Sequence, residues 1–160
     1  MSASPDIRPA EQGSKQRLRL WLRLLGVTRK IEAELRERMR VEFDSTLPRF
    51  DVMAALSRHP QGLRMSALSG VLRVSNGNVT GIVDRLAEDG LVMRVPVAGD
   101  RRATLVRLTA RGAEVFARQA AEHEGWIDGM LAELSGEEAR TYAARLRTLA
   151  QRLDDKGASE

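Results

Sequence analysis

The chain has no cysteine among its 160 residues, which excludes disulfides, thiolate metal sites, cysteine nucleophiles and thiol-based redox sensing. Histidine is nearly absent, with two in all, and there is no glycine-rich phosphate loop. The segment HEGWI at residues 123–127 lacks the second histidine that a zinc-protease helix carries four residues on. An enzyme is therefore not expected, and neither is a metal or a cofactor. No apolar run is long enough for a signal peptide or a membrane span. The expectation is a cytoplasmic protein with a polar tail over residues 1–13 and another over 156–160.

What the chain does have is a 42% hydrophobic content and an excess of arginine in selected places. The length and this content support one domain with a buried core. The formal net charge is only +4, so its distribution matters more than its total. Residues 90–112 carry five basic side chains and one acid, whereas residues 113–160 carry ten acids and six bases. That asymmetry suggests one face aimed at a polyanion, with the acidic part pointing elsewhere. A plainly solvated surface is the alternative on charge alone.

Hydrophobic spacing divides the chain into elements. Leu18, Trp21, Leu25, Thr28, Ile31, Leu35 and Met39 recur in steps of three and four and predict a helix over 14–43. Leu20, Leu22, Leu24 and Val27 give its first half a second apolar face, which calls for a further packing partner such as a second copy of the chain. Thr46 is placed to cap a helix from about Pro48 to Arg58. MSALSGVLRV reads as a short helix begun near Ser66, with Met65, Leu68, Val71 and Leu72 inward. SNGNVTGIVDRLAEDG reads as the next, capped by Ser75 and stopped at Gly90, with Val79, Ile82, Val83 and Leu86 as its buried stripe.

Leu91, Met93 and Val95 then alternate against Val106 and Leu108, around the connection AGDRR, so a hairpin with an outward tip is expected. From Thr109 a long helix carries Phe116, Ala120, His123, Ile127, Met130 or Leu131, and Leu134. Ser135 and Glu138 form a capping box for a last helix whose stripe is Tyr142, Leu146, Leu149 and Leu153.

Helix, helix, tight turn, helix and a two-stranded hairpin is the order of a winged helix-turn-helix. The fold expected is mainly α with a small β-hairpin wing, its DNA-binding part over 46–112 and a helical dimerisation region formed by 14–45 and 113–155. A helix fits the major groove of double-stranded DNA, and an arginine hairpin reaches the adjacent groove. Ser75, Asn76, Asn78 and Thr80 fall on the early turns of the second helix, where amide and hydroxyl groups read base edges or hold phosphates. Val79 is grouped with them, although it also belongs to the inward stripe. Gly77 and Gly81 cost the helix about 1 kcal/mol each relative to alanine, which points to close backbone approach, either by DNA or by the neighbouring helix.

DRRATLVRLTARG resembles the wing motif of the MarR family of bacterial transcriptional regulators: an Asp, any residue, an Arg, then Leu-Thr and Gly. LPRFDVMAAL and VSNGNVTGIVDRLAEDGLVMR fall where that family has its flanking helices, and the likeness covers roughly residues 15–153. It implies a homodimer on a pseudo-palindromic operator. It also implies Arg102 in the minor groove, Asp100 orienting the tip, Arg101 or Arg94 on phosphate, and a small-molecule crevice between the dimerisation and DNA-binding parts. Arg73 departs from the pattern, standing where related turns often have glycine.

Trp21 and Phe50 are the aromatics best placed for such a crevice, with Arg29 to neutralise an acid, while a core or dimer-interface place is the competing reading for Trp21. The effector class that the resemblance implies is a small aromatic acid or its coenzyme A thioester, acting on a repressor. The competing readings are a winged-helix regulator without an effector and a winged helix used only for protein contacts.

Overall fold

The computed structural model describes residues 9–72 and 76–157, with side chains over 12–72 and 78–157. Compact packing divides the chain between Glu124 and Gly125 into two units.

In the first unit, α1 (Pro9–Phe43) begins at Pro9 rather than at residue 14. Proline suits a first helical position because its missing N–H is one that would have no partner there. The tail expected over 1–13 is thus helical from residue 9. The helix closes at Asp44, whose φ of 47° lets Ser45 N–H bond the Met39 carbonyl. Leu35 and Met39 are buried, while Leu18, Leu20, Trp21, Leu22 and Val27 are more than half exposed. α2 (Leu47–Ser57) is capped as expected: the Thr46 hydroxyl accepts from Arg49 N–H at 3.3 Å, and Pro48 lies in the first turn.

Next come β1 (Leu63–Arg64), α3 (Met65–Leu72), α4 (Asn76–Glu88), β2 (Val92–Val97), β3 (Asp100–Leu108) and the start of α5 (Ala110–Met130). The hairpin expected from the sequence is a three-stranded antiparallel sheet in the order β1-β3-β2. The extra strand pairs Leu63 with Val106 and follows Gly62, whose φ is 97° and where an added Cβ would lie 2.9 Å from the Val106 carbonyl oxygen.

Val52, Met53, Leu56, Leu68, Val79, Val83, Leu86, Leu91, Val92 and Val106 make one apolar core that α2, α3, α4 and the sheet share. Two expected inward positions differ. Val71 is exposed, and Val92 rather than Met93 is buried on β2. Leu91 belongs to the turn after α4, with its N–H on the Leu86 carbonyl, so Leu91 and Val92 are buried side by side where the strand begins, and Val95 and Val97 are the half-buried positions beyond them.

In the second unit, α6 (Gly136–Gly157) starts at the expected capping box. Glu138 N–H donates to the Ser135 hydroxyl at 3.2 Å, and Ser135 N–H donates back to the Glu138 carboxylate at 2.9 Å. Those bonds hold the Glu138 carboxyl below its ordinary range. None of the side chains of α6 is buried, and Tyr142, Leu146, Leu149 and Leu153 form an uncovered apolar stripe.

Candidate nucleic-acid interface

The second helix of the helix-turn-helix order is α4, and its inner face explains its outer one. Val79, Val83 and Leu86 are fully buried at helical spacing, so the helix is fixed by one side to the core. Asn78, Thr80 and Gly81 are left on the exposed side. Val79, grouped with the DNA-contacting residues in the sequence, is corrected here: at 0% exposure it is a core residue and touches no partner. Ser75 lies outside the described residues, as do Arg73 and the side chain of Asn76. At Gly81 an added Cβ would meet nothing within 4 Å, so no neighbouring helix requires that glycine.

The wing has an irregular tip. β2 and β3 pair regularly from Val92↔Leu108 to Pro96↔Thr104, and the next pair is Val97↔Asp100. Arg101, Arg102 and Ala103 therefore have no partner on β2 and bulge outward. The connection is only Ala98–Gly99, shorter than the expected AGDRR, because Gly99 at φ 82° turns the chain in two residues. The Asp100 carboxylate accepts from the backbone N–H of Arg102 at 3.0 Å, which fixes the bulge and leaves both arginine side chains exposed.

Arg94 has a different place from the one its sequence position suggested. Its guanidinium donates to Asp84 of α4 at 2.6 Å, tying the wing to that helix. Its charge is thus matched within the chain. Arg64, which sequence reading passed over, stands with Ser66, Asp100, Arg102 and Thr104 around a cleft of about 340 Å³ at the foot of the wing. A two-residue strand leaves no periodic signal that would have drawn attention to it.

The LTARG segment joins this half to α5. The Thr109 hydroxyl donates to the Gly90 carbonyl at 2.7 Å and accepts from Gly112 N–H at 2.9 Å. Gly112 packs so closely on Leu91 that a Cβ there would lie 1.8 Å from the Leu91 carbonyl oxygen. Threonine caps the helix, and glycine is the one residue that fits at the crossing.

The expected ligand residues are not gathered into one crevice. Phe50 is buried, stacked on His123 with ring centroids 4.6 Å apart and tilted against Phe116 at 5.5 Å. Trp21 is 56% exposed on α1, and Arg29 is exposed on the same helix. They stand about four to five and about two to three helical turns N-terminal, respectively, of the buried Leu35 and Met39 of α1, at about 3.6 residues per turn. A cavity of about 290 Å³ lies elsewhere, lined by Leu56, Ser57, Pro60, Leu108, Ala113 and Phe116. Among the described residues no group of three or more histidine, aspartate or glutamate side chains is placed to hold a metal ion. No described helix is long and apolar enough to cross a membrane.

A helix pair packed on a shared core, an exposed polar helix face and an arginine-tipped hairpin define a winged helix-turn-helix. The MarR family model matches residues 45–104. The HTH-type transcriptional regulator PecS of Dickeya dadantii is 33% identical over 107 residues, covering 66% of this chain and 62% of PecS. The chain thus spans a little under two thirds of that relative. A MarR family transcriptional regulator from Silicibacter pomeroyi superposes with a TM-score of 0.72 at 32% identity, over 88% of this chain and 96% of that one. A cysteine-to-serine mutant of MarR from Escherichia coli, in complex with operator DNA, superposes with a TM-score of 0.73 at 25% identity, over 84% and 95%. The chain belongs to the MarR family, whose members are transcriptional regulators and not enzymes.

Proposed function

We propose that this chain is a sequence-specific DNA-binding regulator that acts in the cytoplasm as a homodimer on a pseudo-palindromic operator. On this reading it is a repressor released by a small aromatic acid or its coenzyme A thioester. The observation that carries the DNA-binding part is the wing tip, where two arginines bulge from the sheet, taken together with the exposed Asn78 and Thr80 of α4. Arg102 enters the minor groove, Asp100 holds the tip, and Arg101 and Arg64 take phosphates. Asn78 and Thr80, with Ser75 and Asn76, face the major groove. Arg94 is reassigned from phosphate contact to holding the wing against α4.

The uncovered apolar stripes of α1 and α6 support the homodimer, because two such faces left in water are costly. The 290 Å³ cavity supports a single-ring effector, being large enough for one ring and bounded by Phe116, against which Phe50 rests. Trp21 and Arg29, exposed on α1, fit a dimer interface better than a ligand wall within one chain.

Footprinting of the upstream DNA at two salt concentrations tests the core of this reading. Arg102→Ala is expected to weaken operator binding by more than about 1 kcal/mol and to lower the salt slope by about one. Benzoate or a hydroxycinnamate is expected to release the parent protein. A variant that binds like the parent removes the wing assignment, and a complex indifferent to these acids and their coenzyme A esters at millimolar concentration removes the effector.

A further inference from the structure

The end of α4 is acidic where a helix favours the opposite charge. Glu88 closes the helix and Asp89 follows it, so two carboxylates stand at the negative end of the backbone dipole, a place that cations stabilise and anions do not. A residue that breaks a local rule in this way has its reason in the tertiary structure. For Asp89 the reason lies on two neighbouring elements. Its carboxylate pairs with Arg49 Nη2 of α2 at 2.5 Å, and its backbone carbonyl accepts from Arg111 of α5 at 3.3 Å. The Arg49 side chain is only 21% exposed and its Nε is buried with no hydrogen-bond partner among the described residues. A guanidinium largely out of water is thus held by this carboxylate. Asp89 itself is half exposed, so the pair is poorly placed to add much to stability.

We propose that Asp89 is a positioning residue for the DNA-reading face of α4: through Arg49 and Arg111 it sets the angle at which that helix leaves the body of the chain. This role rests on the DNA-binding reading. Val79, Val83 and Leu86 hold α4 against the core, but apolar contact has no direction and leaves the tilt of the helix to bonds that do. Among the described residues, directed ties from α4 to other elements lie in its second half and just beyond it: Asp84 to Arg94, Asp89 to Arg49 and Arg111, and the Gly90 carbonyl to the Thr109 hydroxyl. Asn78 and Thr80 stand about 13–17 Å along the axis from Asp89, at about 1.5 Å per residue. A small tilt about the held end is therefore largest at the side chains that must meet base edges within hydrogen-bond distance.

The sign of the charge separates this role from a plain surface one. An acid repels phosphate, so as one more surface charge Asp89 would weaken binding to every DNA alike. Asp89→Asn, which raises the net charge by one, would then tighten binding to any duplex. A positioning residue gives the opposite result on the operator alone. Affinity for unrelated DNA depends on phosphate charge and is held or raised, while affinity for the operator falls.

The parent, Asp89→Asn and Asp89→Glu are compared as full chains on two duplexes of equal length, the upstream fragment protected in footprinting and an unrelated sequence. Asp89→Asn is expected to lower the ratio of the two affinities at least tenfold, by loss on the protected fragment. Asp89→Glu, which keeps the charge opposite Arg49, is expected to stay within threefold of the parent. Melting temperatures should differ by no more than a few degrees, because the amide oxygen of asparagine still accepts from Arg49. The role is overturned if Asp89→Asn keeps the parent's ratio, if it loses affinity equally for both duplexes, or if Asp89→Glu loses as much as Asp89→Asn. Should Asp89→Asn fail to fold, Arg49→Gln removes the same tie from the other side and is judged by the same ratio. A parent that prefers neither duplex removes the DNA-binding reading and this role with it, whereas a parent that discriminates beside an equally discriminating Asp89→Asn removes this role alone.

Discussion

At the scale of single residues, Gly81 separates the demands of folding from those of binding. It sits inside a 13-residue helix with open space where a Cβ would be. Alanine there should stabilise α4 by up to about 1 kcal/mol by helix propensity alone. If the bare backbone lets DNA approach, the same substitution weakens operator binding severalfold. Gly81→Ala is thus expected to raise the melting temperature and lower affinity together. Thermal unfolding and gel-shift titration on one preparation check it, and a variant that gains stability at unchanged affinity would free Gly81 of any part in binding.

His123 gives the chain a pH dependence whose sign follows from its surroundings. Burial holds its imidazole below the ordinary value of 6.5, with Asp51 pulling weakly the other way. Burial also raises the Asp51 carboxyl, against His123, while Glu32 adds to the rise. Because the folded His123 takes up its proton later than the unfolded one, stability is lost as the pH falls through the region below 6.5. Asp51 acts in the opposite sense over the carboxylate range, where acidification relieves its burial. The melting temperature is expected to drop between pH 7 and pH 5.5, and His123→Phe, which preserves a ring against Phe50, should flatten that drop. An equal slope in the variant would place the acid sensitivity elsewhere.

At the scale of elements, the contact between Asp84 and Arg94 decides how the wing and α4 act together. Both side chains are partly exposed, so their pair contributes at most about 1 kcal/mol to stability. Its larger effect is geometric, since it ties the hairpin to α4. Asp84→Asn is expected to leave the melting temperature within a degree or two and to weaken operator binding severalfold. A double-mutant cycle with Arg94→Gln should show the two losses to be non-additive. Additive losses would mean that Arg94 contacts DNA on its own account.

Elements with a local chemical signature were legible in the sequence: Thr46 before Pro48, and Ser135 with Glu138, cap their helices as expected. The inward stripe of Val83 and Leu86 and the existence of the wing were legible for the same reason, a regular spacing. The rest depended on contacts between distant residues. β1 is two residues long and exists because it meets β3. Val79 fits both the inward stripe and the polar group around it by sequence, and only its packing in the core decides for the stripe. Arg94 found Asp84 ten residues earlier in the chain, and the pairing of Gly112 with Leu91 depends on two segments crossing.

At the scale of the whole molecule, the stripe of Tyr142, Leu146, Leu149 and Leu153 reads in one chain as surface and in the proposed homodimer as interface. On that reading, Leu146→Asp with Leu149→Asp should turn a dimer in light scattering into a monomer at micromolar concentration. Binding to a two-half-site operator should fall by more than tenfold, since each subunit holds one recognition helix. A parent that is already monomeric, or a variant that remains dimeric, would remove the homodimer or its assignment to α6.

The bulge at Arg101–Ala103 has one more consequence. Opposite a single step of β2, from Pro96 to Val97, β3 runs from Thr104 back to Asp100. The wing therefore carries spare chain at its tip, as a rope carries slack, while every ladder pair from Val92 to Pro96 is already taut. Lengthening or shortening that slack changes how far the arginines reach without disturbing the sheet or the core beneath it. The reach of the finger can thus drift from one relative to the next at almost no cost to folding, and the spacing between the grooves a regulator touches is a quantity this architecture leaves open to adjustment.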